Sequence, residues 1–178
     1  MEKYLFLDID GVLNDQNYFL ENQDEIDPVR VKRLARIIQQ TEAKIVLSST
    51  WRDLLKTADG RRLYHYLEVK LAEAGLSIYD HTPDLSEERP VEILAYLQDH
   101  PTAYWASIED DYREEHYAPY GMSSHLVQTE FYRENGGLQE QHISLAVQIL
   151  NWGSREYKKT GDHHEKCTKI PGSQESVG

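Results

Sequence analysis

Three short polar stretches of this chain carry side chains able to do chemistry, and each follows directly on an apolar run. Asp8-Ile9-Asp10-Gly11-Val12-Leu13-Asn14 sets two carboxylates one residue apart, ahead of a glycine free to turn sharply. Two acids facing one pocket can divide a reaction, one staying ionised as a nucleophile and the other exchanging a proton. Spacing alone does not say which acid does which. Leu47-Ser48-Ser49-Thr50-Trp51-Arg52 offers small hydroxyls that can donate to an anionic oxygen without adding bulk or charge. Glu109-Asp110-Asp111 offers oxygen donors of the kind that hold magnesium. Each stretch has a plainer reading when taken singly: an acidic turn, a helix cap at Thr50, an acidic loop. Those readings lose ground because the stretches come in order at the ends of apolar runs.

The runs and the segments between them define the elements that position these groups. Residues 4–7 are continuously apolar and stop at Asp8, the pattern of a parallel strand buried on both faces. Asp27 can cap a helix that starts at Pro28, and Val31, Leu34, Ala35 and Ile38 recur at helical spacing to about residue 40. A strand follows at 43–48, then a helix from about 59 through 74 ended by Gly75, and a short strand around 77–79. Next come a helix opened by Pro90, a strand at 104–108, a short strand at 126–128 and a closing helix at 139–151 before Gly153. Strands alternating with helices of this length predict βαβ units, an α/β fold with a parallel sheet and helices on both faces.

The DIDGVL segment resembles the first motif, DxDGxL/V, of the haloacid dehalogenase (HAD) superfamily. The SSTWR segment resembles a pattern in its uncapped or small-cap branch, that of the HAD domain of Swiss Army Knife RNA repair proteins. The resemblance runs over roughly 4–151 and implies a Rossmannoid three-layer sandwich on a five-stranded parallel sheet, with no large cap domain. It implies that Asp8 attacks phosphorus and that Asp10 protonates the leaving oxygen and then activates water. Ser48 is the first choice for the hydroxyl on a phosphoryl oxygen, with Ser49 the close competitor. Gly11, Ser49 and Arg52 join the substrate-binding set, although Arg52 is equally assignable to a structural carboxylate. Arg89, in a segment similar to RGxEI but with Pro90 for the glycine, is the cation that balances acids and phosphate, and Arg113 is the second candidate. Magnesium is implied at Asp8, at the Asp10 backbone carbonyl and at Asp110. Glu109 departs from the LDDD pattern of this branch and is expected to act through water or a hydrogen bond.

The bulk numbers bound the remaining readings. A chain of 178 residues suits one domain, expected over 1–153 with a small hairpin flap at about 15–27, and 154–178 is polar enough to be a mobile tail. At 39% apolar and 28% charged, with no apolar run of membrane-spanning length and no basic leader, the composition predicts a cytoplasmic protein without a membrane partner. The lone Cys167 excludes a disulfide framework, and His142, His163 and His164 lack the spacing of a metal site. Tyr112, Tyr117 and Tyr120 either stack on a substrate ring or pack at the sheet edge. A net charge of −12 opposes extended duplex binding, so the expected partner is a phosphorylated small molecule or a nucleic-acid end. The resemblance implies a magnesium-dependent phosphomonoester hydrolase. A catalytically weak module that binds a phosphorylated ligand is the alternative, and a mutase is disfavoured without a cap to exclude water.

Overall fold

Every residue of Tyr4–Leu7 is buried, as a strand at the centre of a two-faced sheet must be, and this strand, β1, organises the rest. The computed structural model describes residues 1–85 and 88–153. The segment 154–178, expected as a mobile tail, lies outside the described residues. β1 pairs in parallel with β2 (Lys44–Leu47) and β4 (Trp105–Glu109), with Leu7 opposite both Leu47 and Ile108. β3 (Ile78–His81) and β5 (Leu126–Gln128) form the edges, giving the all-parallel order β3-β2-β1-β4-β5.

β3 starts one residue later than the apolar pattern predicts and ends at His81, beyond the expected limit. Its polar residues tolerate the sheet because they find partners there. The Tyr96 hydroxyl donates to Asp80 at 3.1 Å, and the Tyr64 hydroxyl lies 2.6 Å from His81 Nε2. A register shift between Ile45 and Val46 accommodates the strand.

Among the described residues there are six α-helices: α1 (Gln16–Asn22), α2 (Pro28–Thr41), α3 (Ala58–Ala72), α4 (Arg89–Asp99), α5 (Glu114–Tyr117) and α6 (Glu140–Trp152). Because successive strand side chains point to opposite faces, the sheet serves two cores. Leu5, Leu7, Ile45, Leu47, Ala106 and Ile108 enter the one under α2, α3 and α6. Tyr4, Phe6, Val46 and Trp105 enter the other, with Ile93 and Tyr96 of α4 and Tyr117 of α5. Truncating a fully buried residue such as Leu7 to alanine costs about 2–5 kcal/mol.

The segment expected as a hairpin flap instead forms α1. Asp15 accepts from the Tyr18 amide at 2.7 Å to start the helix, and Gln23 in the left-handed region (φ 51°) ends it. Buried Arg30 anchors this segment, pairing with both Asp15 and Asp27 and donating to the Gly136 carbonyl at 2.7 Å. Asp27 caps α2 with Pro28 at its first position, as the sequence predicts. Among the described residues there is no large cap, and no helix is long and apolar enough to cross a membrane. Strand order reverses between β1 and β4, which places a crevice at their carboxyl ends.

Candidate active site

Asp8 is the first residue beyond β1, Glu109 ends β4 beside it, and Asp110 is the first residue beyond β4. The three carboxylates offer oxygens that all lie within 4.8 Å of one another. Burial raises the pKa of Asp8, opposed by the Arg89 guanidinium and the Ser49 hydroxyl. Burial, with the neighbouring Asp8, pushes Glu109 well above the carboxylate range. Burial, with Asp8 and Asp111 nearby, lifts Asp110 to about 7. Acids arranged this way are held against their own repulsion.

The opposing charge comes from α4. Arg89 is buried at the helix start, its Nε 3.2 Å from Glu109 Oε2 and its Nη2 3.9 Å from Asp8 Oδ1. Burial opposes the charge on Arg89, but Asp8, Glu109 and Glu92 more than offset this and keep its pKa above the ordinary value. One turn along, the fully buried Glu92 lies 3.5 Å from Arg89 Nη1 and takes the fork of Arg52 at 2.6 and 2.8 Å. Arg52 also donates to Thr82 Oγ1 at 2.9 Å. Of its two readings, the structure therefore favours the structural carboxylate. Arg113, by contrast, stands on an open rim with Asp110, Asp111 and Tyr132, so Arg89 is the cation beside Asp8.

Two arginines thus face four carboxylates in this buried network. The surplus of negative charge and the all-oxygen donor set fit a hard divalent cation such as magnesium. Gly11 makes the close approach feasible: at φ +66° it turns the chain, and a Cβ there would stand 2.2 Å from Asp110 Cγ. Its amide donates to Asn14 Oδ1 at 2.9 Å, so that N–H is engaged within the protein and not free for a phosphate. Glu109 holds its loop from within: Oε1 accepts from the Asp110 and Asp111 amides, both at 3.1 Å.

The two serines separate. The Ser49 hydroxyl helps to hold down the pKa of Asp8, whereas the buried Ser48 Oγ lies 3.5 Å from Thr82 Oγ1. Ser49, not Thr50, also caps the 3₁₀ turn Thr50–Lys56 by accepting from the Trp51 amide. Asp10 is exposed and stands outside the carboxylate cluster, with Asn14 Nδ2 3.0 Å from Oδ1 and Trp51 Nε1 2.9 Å from Oδ2.

The tyrosines also divide. Tyr117 is fully buried on Ser107, Tyr112 lies under the Arg89 guanidinium at 5.7 Å, and Tyr120 is exposed. His142 accepts from the Gln139 amide at the start of α6. His163, His164 and Cys167 fall outside the described residues. The sequence reading missed the partners Glu92, Asn14 and Thr82. Only Glu92 carried a signal, as an acid on the buried face of α4 one turn after Arg89.

The family model described as the HAD domain in Swiss Army Knife RNA repair proteins matches residues 4–143. Among curated proteins, none matches the chain. Among solved structures, the chain is similar to the D,D-heptose 1.7-bisphosphate phosphatase from B. bronchiseptica, a structure complexed with magnesium and phosphate. The TM-score is 0.52 at 19% identity, over 83% of this chain and 98% of that one, a likeness of fold.

Proposed function

We propose, from the premise that this chain belongs to the family of HAD domains in Swiss Army Knife RNA repair proteins, that it hydrolyses phosphomonoesters with magnesium through a phospho-aspartate at Asp8. The observation that carries this is the convergence of Asp8, Glu109 and Asp110 beside Arg89, with oxygens within 4.8 Å of one another. The magnesium and phosphate in the similarly folded phosphatase point the same way. Asp8 and Asp110 would hold the ion, assisted by the Asp10 carbonyl, with Glu109 steering Arg89 and the loop. The ion would neutralise charge on the phosphoryl oxygens.

In the first step an Asp8 oxygen bonds to phosphorus as the bond to the leaving oxygen breaks, and that oxygen takes its proton from Asp10. In the second, water attacks phosphorus, gives its proton to Asp10 and releases the Asp8 carboxylate. Arg89 and the Ser49 hydroxyl stabilise the phosphoryl oxygens as charge moves onto them. In this role Ser49 replaces Ser48. The catalytic unit is residues 1–153. With no large cap among the described residues, the substrate is an accessible phosphate, on a small molecule or at a nucleic-acid end, and the net charge of −12 works against long polyanions.

A second reading, a weakly catalytic module that binds a phosphorylated ligand, draws on Glu109, both of whose oxygens already have protein partners. One assay separates the two. Magnesium-dependent hydrolysis of an aryl phosphate is expected to fall by about 10³-fold or more in Asp8→Asn. Hydrolysis that survives this change rejects Asp8 as the nucleophile, and phosphate binding without turnover supports the module.

A further inference from the structure

Trp51 stands in the SSTWR stretch, yet no step above uses it. It is 5% exposed, locked in the core under α3, and its backbone amide is held by Ser49 Oγ. Its indole Nε1 is 2.9 Å from Asp10 Oδ2. Across the same carboxylate, Asn14 Nδ2 is 3.0 Å from Oδ1, and the orientation of that amide is set because Asn14 Oδ1 accepts from the Gly11 amide. Asp10 is exposed, and an exposed aspartate at a chain turn would ordinarily sample several rotamers. Here a donor on each oxygen fixes the plane of the carboxylate. An indole N–H can only donate, so it cannot exchange roles with the acid. Each carboxylate oxygen keeps a lone pair for a proton. Asp10 also lines an open cavity of about 260 Å³ with Glu25, Thr50, Trp51, Leu54 and Leu63, so a ligand can reach it while it is held.

We propose that Trp51 is a positioning residue, which with Asn14 orients the Asp10 carboxylate to hand its proton to the leaving oxygen. The inference rests on the phosphatase reading above, in which the phosphorus–oxygen bond breaks, its electron pair stays on the leaving oxygen and the Asp10 proton goes there.

The test compares two substrates. Para-nitrophenyl phosphate has a leaving group that departs without a proton, whereas glycerol phosphate needs one. Trp51→Phe keeps a ring and removes the N–H. It is expected to lose about tenfold more kcat on glycerol phosphate than on para-nitrophenyl phosphate, with KM little changed. Leu54→Ala loosens the same wall without touching that N–H and is expected to lower both equally. Equal losses on both substrates in Trp51→Phe overturn the proposal. A second readout does not need turnover or Trp51→Phe to fold. The chain has three tryptophans, and the indole N–H resonance of Trp51 is expected to shift in Asp10→Ala while those of Trp105 and Trp152 stay. An unmoved resonance overturns the contact. A wild type inert on every phosphomonoester, with the resonance shifted, rejects the phosphatase reading and still supports Trp51 as the group that orients Asp10.

Discussion

Arg52 offers a sharp test of the buried charge network, because a substrate ligand and a structural cation fail differently. Its side chain is 10% exposed and that of Glu92 only 2%. Arg52→Met keeps most of the stem volume but removes two fork contacts at 2.6 and 2.8 Å and the bond to Thr82. Leaving one member of a buried pair uncompensated costs about 3–5 kcal/mol. The lower end applies, because Glu92 keeps Arg89 at 3.5 Å. At about 2–4 °C per kcal/mol for a chain of this size, Tm should fall by roughly 6–12 °C in calorimetry. KM for a phosphomonoester should stay within about threefold of wild type. The double variant Arg52→Met/Glu92→Leu, which removes both charges, should recover roughly half of the loss or more. A Tm within about 2 °C of wild type, together with KM raised about tenfold, would refute the reasoning and return Arg52 to the substrate.

Ser49→Ala should lower kcat about 10²-fold through loss of a donor to the phosphoryl oxygens, and Ser48→Ala clearly less; the reverse order in steady-state kinetics would restore Ser48. Gly11→Ala forces a Cβ onto Asp110 and strains a residue at φ +66°, so stability should drop by about 1–2 kcal/mol and magnesium protection against thermal unfolding should weaken. The pH dependence of the metal-free protein follows from Asp110, whose pKa rises from 3.8 to about 7 on folding. The folded state therefore holds a proton that the unfolded state releases, so this stabilisation is full below about pH 4 and is lost as pH rises through about 7. Melting curves in chelator should show Asp110→Asn gaining on wild type as pH rises across that window; a pH-independent difference would remove this account.

Much of the frame was legible in local pattern. The apolar run at 4–7 stopping at Asp8, the Asp27-Pro28 start of α2 and the recurrence of Val31, Leu34 and Ala35 need only the periods of strand and helix to be read. Because parallel strands deliver their chemistry at their carboxyl ends, the same runs placed Asp8, the serines and the acidic triplet at one edge of the sheet. Periodicity is silent about residues once a strand has ended. Whether Ser48 or Ser49 turns toward Asp8, and how Glu109 folds back on its own loop amides, depended on the path of the chain beyond the last strand hydrogen bond. The segment after Asp15 was open in the same way, and capping by Asp15 with the Arg30 anchor made it a helix. The pairings of Arg52 with Glu92 and of Trp51 with Asp10 join residues about forty positions apart. Charge and hydrogen-bond complementarity act through space, so the sequence supplied the groups, and only the packing of α4 and the 3₁₀ turn against the sheet decided which of them meet.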